Sequence, residues 1–222
     1  MATARATGRA AGVLSSPLWR AGSVWALYVA GFVPAVFWFH LGATGQIPGN
    51  VVKEFEHVLG IWALRFLLAT LTVTPLRDLT GINLLRYRRA LGLLAFWYVV
   101  LHFSTYLILD QNLNFPAILV DIAKRPFITI GMACLVLLVP LAVTSNAFSI
   151  RRLGPNWNRL HRLAYVIVLG GALHYAMSVK VVTAEPFLYL VLASILVLYR
   201  LLRPAVLRRR KAARPSPAAR RG

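Results

Sequence analysis

The sequence predicts an all-α integral membrane protein with six transmembrane helices and both termini in the cytoplasm. Three observations carry this expectation. The 222 residues are 59% hydrophobic and only 14% charged, with mean hydropathy +0.66, whereas a soluble domain carries about 25% charged residues. Six apolar segments run roughly Ala21–Leu41, Val58–Leu76, Ala90–Leu109, Phe127–Ser145, Leu163–Val179 and Phe187–Leu202. Each is close to the roughly 17–25 residues that cross a hydrocarbon core. Finally, the segments between them sort by charge.

One set of connections holds Arg77, Arg86, Arg88 and Arg89, then Arg151, Arg152, Arg159 and Arg162. The other holds Lys53, Glu54 and Glu56, then Asp110, Asp121, Lys124 and Arg125, then Lys180 and Glu185. Of the six acidic residues only Asp78 falls in the first set. An excess of arginine marks the cytoplasmic side, which sets the orientation. The net charge of +19 therefore reads as topology and attraction to anionic lipid, not as nucleic-acid binding.

Residues 1–20 form a basic N-terminal segment, residues 21–203 the membrane domain, and residues 204–222 a basic tail expected to be disordered. The first apolar segment is too long for a signal peptide and lacks a clear cleavage site. The length fits one membrane domain without a nucleotide-binding domain of ordinary size. Pro34, Pro75 and Pro140 are expected to kink or stop their helices. Cys134, the single cysteine, reads as apolar packing. No internal repeat is evident.

Histidines carry the chemistry. A titratable side chain within a membrane segment is costly and usually has a functional partner. His102 lies 13 residues past Arg89, and His174 lies 13 residues past His161, on helices running the same way. At about 1.5 Å per residue, both sit about 20 Å from the inner edge. Two neutral imidazoles at one depth on packed helices make a bis-histidine site for haem iron. His161 has no histidine at its own level, so a second haem there would need another kind of ligand; headgroup contact is the alternative. Thirteen residues turn an ideal helix about 220° beyond whole turns, so His161 and His174 face different neighbours unless Gly170–Gly171 allows a distortion. His40 and His57 read as interfacial. Arg65, inside the second segment, either snorkels outward or pairs with a carboxylate, and a haem propionate is a candidate counter-ion. The arginines at the cytoplasmic ends read as topology signals or as a docking rim for an acidic donor protein or a flavin phosphate.

These residues also carry a resemblance. The stretch Ala63–Leu76, the run Arg88–Leu94, Leu101-His-Phe-Ser-Thr-Tyr106, Lys124-Arg-Pro-Phe-Ile-Thr-Ile-Gly131, Leu153–His161, and His174-Tyr with Ser178-Val-Lys180 are similar to the MsrQ (YedZ) family. The likeness spans about residues 20–200. That family belongs to the ferric-reductase-like transmembrane group, related to NADPH oxidase cores. The resemblance implies a multi-pass b-type haem protein of the bacterial inner membrane. It implies electron transfer to a periplasmic molybdopterin-containing reductase, MsrP, that repairs methionine sulfoxide, with haem b and FMN as cofactors. His102, His161 and His174 match the family's histidines and inherit the haem role. The related oxidases carry four ligand histidines; the fourth place, near Arg88 or Arg89, holds arginine here. With no dehydrogenase domain expected, the electron donor would be a separate cytoplasmic flavin reductase or a quinol. The chain would then be a non-catalytic electron-transfer subunit. Two other classes remain open: a quinol-linked cytochrome of another pathway, and a small proton-coupled transporter.

Overall fold

A computed structural model describes residues 17–179 and 183–212. Among them the regular structure is entirely helical. Helices α1 (Pro17–Ala43), α2 (Val51–Thr80) and α3 (Arg88–Thr105) come first. A π-helical turn, Tyr106–Asp110, prolongs α3. Three short helices, α4 (Phe115–Lys124), α6 (Ala147–Leu153) and α7 (Pro155–Leu160), flank α5 (Pro126–Val143). The last two are α8 (Leu163–Ser178) and α9 (Ala184–Ala212).

Five of these are long and apolar enough to cross a membrane: α1, α2, α3 with its π turn, α5 and α9. The sixth expected segment forms α8, whose 16 residues fall just short of the usual span. Helices α1, α3 with its π turn, α5 and α8 match the expected segments closely. α2 starts earlier than hydropathy suggests because Asn50 caps it, its side chain accepting from the Lys53 N–H at 3.1 Å. α9 continues through Pro204 to Ala212, past the boundary expected at 203.

α2 is the hub. It packs against α1, α3, α8 and α9, and 61% of its apolar window is buried, against 28% or less in the other spans. Its core residues Leu59, Leu64, Leu67 and Leu71 meet Leu94 and Tyr98 of α3 and Ile167 and Val168 of α8. The outward faces of α1 and α9 are apolar and exposed, including Trp25, Val33, Phe37, Leu188 and Leu198. Such faces suit lipid, where apolar side chains need no cover.

Pro34, Pro75 and Pro140 all lie inside continuous helices. Each freed carbonyl needs a new donor, and neighbouring helices supply some. Near Pro34, the buried Tyr98 hydroxyl donates to the Gly31 carbonyl at 2.7 Å and accepts from the Ala35 N–H at 3.2 Å. An undisturbed helix would join those two groups to each other. At Pro75, which cannot donate to the Leu71 carbonyl, Arg200 donates to it instead through Nη2 at 3.1 Å.

Candidate functional site: two histidines over a membrane cavity

The packing of α2 against α3, and of α5 against α8, brings His102 and His174 together. Their ring centroids are 6.2 Å apart and their planes meet at 85°. An imidazole nitrogen bonds a first-row metal at about 2.0 Å and lies about 1.2 Å from its ring centre, so two rings on one ion have centroids about 6 Å apart. The observed separation suits that role.

Each ring is fixed by the same device. His102 Nδ1 lies 2.8 Å from the Glu56 carbonyl, and His174 Nδ1 lies 2.6 Å from the Phe127 carbonyl. A carbonyl only accepts, so Nδ1 carries the hydrogen in both rings and donates it. Nε2 is then left with the lone pair, the state required of a metal ligand. One helical turn beyond each carbonyl stands a glycine. A Cβ at Gly60 would approach His102 to 3.3 Å, and one at Gly131 would approach His174 to 2.9 Å. The carbonyl–histidine separations are 46 and 47 residues. The helix pairs α2/α3 and α5/α8 thus repeat one construction, a structural repeat that the sequence does not announce.

Both rings line a cavity of about 520 Å³, within the size range of cofactor sites. Its walls are mainly apolar, with Leu64, Leu67, Val99, Leu135, Leu138 and Ile167 among them. Polar groups enter at one end: Lys53, Glu56, His57, Arg125 and Ser178. The size, dry walls and two prepared nitrogens fit an amphipathic macrocycle with a central metal. Three ion pairs tie down that polar end, Lys53 with Asp110 at 2.8 Å and with Glu56 at 3.4 Å, and Arg125 with Asp121 at 3.3 Å. Tyr106 reinforces it by donating to Asp121 at 3.3 Å.

The other predicted residues lie elsewhere. His161 does not line the cavity. Its ring stacks on Trp157 at 3.8 Å, and its Nε2 is 3.1 Å from Thr144 Oγ1. The Thr144 hydroxyl donates to the Pro140 carbonyl at 2.6 Å, which leaves its oxygen to accept from His161. Burial and the nearby Arg88 guanidinium hold His161 down to about 4, so it is neutral at pH 7. Arg65 also lies outside the cavity lining. It donates through Nε to Tyr189 at 2.7 Å, lies 3.9 Å from Glu185, and covers the Trp62 ring at 5.0 Å. Glu185, in the first turn of α9, thus brings a protein carboxylate near Arg65 of α2. His57, an exposed residue, reaches the mouth of the cavity and the Tyr175 ring at 5.5 Å. Sequence reasoning missed Gly60 and Gly131; glycines in the helices flanking the histidine helices were the available signal.

Residues 20–172 match the family described as ferric reductase like transmembrane component. Among similar proteins, the "protein-methionine-sulfoxide reductase heme-binding subunit MsrQ" of Rhizobium meliloti (strain 1021) is 69% identical over 189 residues, covering 85% of this chain and 88% of the relative. The protein of the same description from Brucella ovis is 61% identical over 192 residues, covering 86% and 87%; that from Brucella canis gives the same values. No solved structure matches. A multi-pass helical membrane architecture, a match over most of the apolar region and this degree of identity lead to one conclusion: the chain belongs to the ferric-reductase-like transmembrane family, within its MsrQ branch.

Proposed function

We propose that the chain is a b-type cytochrome of the bacterial inner membrane, with His102 and His174 as the axial ligands of one haem. Haem iron supplies one-electron chemistry when bound. The residues supply the rest. His102 and His174 would supply Nε2 as ligands, the Glu56 and Phe127 carbonyls hold each ring in one tautomer, and the apolar walls exclude water. Hydrogen bonding at Nδ1 makes each ring a stronger ligand and favours the ferric state. The observation that carries this reading is the pair of locked rings lining one cavity, their centroids 6.2 Å apart. The relatives' printed name, heme-binding subunit, supports it.

In this proposal α8 is the sixth crossing, both termini are cytoplasmic, and residues 21–203 form the haem domain between basic segments 1–20 and 204–222. Electrons enter from a cytoplasmic flavin reductase or a quinol. They leave to a periplasmic molybdopterin-containing methionine-sulfoxide reductase of the MsrP kind, so the chain is the electron-transfer subunit. A second haem on His161 would require Nε2 to leave Thr144, so the geometry favours one. FMN enters through family likeness, and Arg65 is better accounted for by Glu185 and Tyr189 than by a propionate. The test is the pigment of the purified protein. A six-coordinate low-spin haem spectrum that disappears in both His102→Ala and His174→Ala supports the axial pair; an intact spectrum in either variant refutes it. Failure of the reduced protein to reduce a purified MsrP-like partner would leave a cytochrome of another pathway.

A further inference from the structure

The repeat of α2/α3 in α5/α8 extends beyond the two cradles to the walls of the cavity. Along α2 and α5 the lining residues pair at a spacing of 71: Gly60 with Gly131, Leu64 with Leu135, and Leu67 with Leu138. Along α3 and α8 they pair at 72: His102 with His174, Phe103 with Tyr175, and Val99 with Gly171. Packing between the halves obeys the same exchange. α3 touches α5, and its counterpart α8 touches α2. Halves that trade places in this way are related by a half-turn, and here both line one cavity. Parallel repeats in membrane proteins are commonly related by such an axis along the membrane normal.

A two-fold frame cannot tell apart two insertions of a ligand that differ by a half-turn. Haem b is nearly two-fold itself. Its acidic edge is alike after the half-turn, and only the order of its vinyl and methyl groups changes. A choice between the insertions must come from a difference between the walls. Three of the α2/α5 pairs are identical, and Phe103 differs from Tyr175 by a hydroxyl. Ile61 and Met132 are close in volume, while Cys134, the counterpart of Ala63, turns its sulfur to the Ile167 carbonyl at 3.7 Å. Val99 and Gly171 are the odd pair: an isopropyl group on one wall, bare backbone on the other, each three residues before its histidine. Helix packing does not require that glycine. A Cβ at Gly171 would find its nearest neighbour, Leu64, at 3.9 Å, whereas at Gly131 and Gly170 it would collide at 2.9 and 2.6 Å.

Resting on the haem reading, we infer that the cavity accepts haem in two insertions related by a half-turn, which exchange the macrocycle faces met by His102 and His174, and that Val99 opposite Gly171 sets their ratio. Val99 and Gly171 are positioning residues: they select a face and do not bind iron. One methylene of apolar contact is enough to favour one insertion about fourfold. Both insertions therefore coexist in unequal amounts.

Proton NMR of the ferric full chain, purified in detergent micelles, tests this, because each insertion gives its own set of shifted haem methyl resonances. Wild type should show two sets at a ratio of about 4:1. The double variant Val99→Ala/Gly171→Ala, which makes the pair equal, should bring them to about 1:1 while the low-spin spectrum is retained. Chain loaded with a haem that carries methyls in place of both vinyls, which a half-turn leaves unchanged, should show one set. A single set in wild type that stays single in the double variant overturns the two-fold frame, and so does doubling that persists with the symmetric haem. Two sets whose ratio is the same in wild type and the double variant overturn the role of Val99 and Gly171. Should the double variant not fold, wild type decides alone: doubling that collapses with the symmetric haem supports the frame, and a single set with haem b overturns it. Wild type without a low-spin haem removes the cytochrome reading together with this inference; wild type with that haem but without the doubling removes the inference and leaves the reading intact.

Discussion

The two histidine cradles use the same parts but differ in tightness. In α2/α3, His102 lies 2.8 Å from its carbonyl and Gly60 leaves 3.3 Å for a Cβ. In α5/α8, His174 lies 2.6 Å from its carbonyl and Gly131 leaves only 2.9 Å. The second seam is tighter along its length: a Cβ on Gly170 of α8 would come within 2.6 Å of Cys134 Sγ on α5. In the first seam, Gly92 of α3 has its nearest neighbour, Thr70, at 4.0 Å. Helices approach closely in membranes where small residues line the seam. The α5/α8 pair therefore depends on its glycines, whereas α2/α3 owes more to large side chains such as Leu94 and Tyr98.

That contrast can be broken in graded steps. Removing either ring, by His102→Ala or His174→Ala, should abolish the low-spin spectrum completely, since each deletes one ligand. Gly131→Ala comes next. Overpacking costs typically about 1–3 kcal/mol, and here the displaced atoms belong to the His174 ring. Most of the haem should be lost, or its midpoint potential shifted, as read by redox titration of purified protein. Gly170→Ala should lower thermal stability with a smaller spectral change, because Cys134 Sγ can rotate away. Gly60→Ala should retain haem with a modest potential shift, the 3.3 Å contact being relieved by a small ring movement. Gly92→Ala should change neither haem content nor potential. Equal effects at Gly60 and Gly131 would remove the distinction between the cradles. A further comparison concerns His161: His161→Ala should leave the His102/His174 spectrum intact, and its loss there would mean that the two levels are coupled.

Much of the architecture was legible beforehand. Hydropathy located the long helices, and the shared 13-residue offsets put His102 and His174 at one depth. Proline positions were seen, but not their rescue by Tyr98 and Arg200, residues 63 or more positions away in the chain. The charge pattern had assigned Glu185 to a connection and did not show that it lies 3.9 Å from Arg65 of α2. The short helices α4, α6 and α7 lie in stretches that the sequence reading treated only as connections between apolar segments.

Composition, helical length and the depth of each histidine follow from local chemistry: apolar runs must bond their own backbones in lipid, and a helix rises by a constant step per residue. The direction in which each imidazole turns is not local. It depends on a carbonyl 46 or 47 residues away and on a bare glycine face that lets the ring lie against it. Only the packing of α2 on α3 and of α5 on α8 selects that carbonyl, and with it the nitrogen left open for a metal.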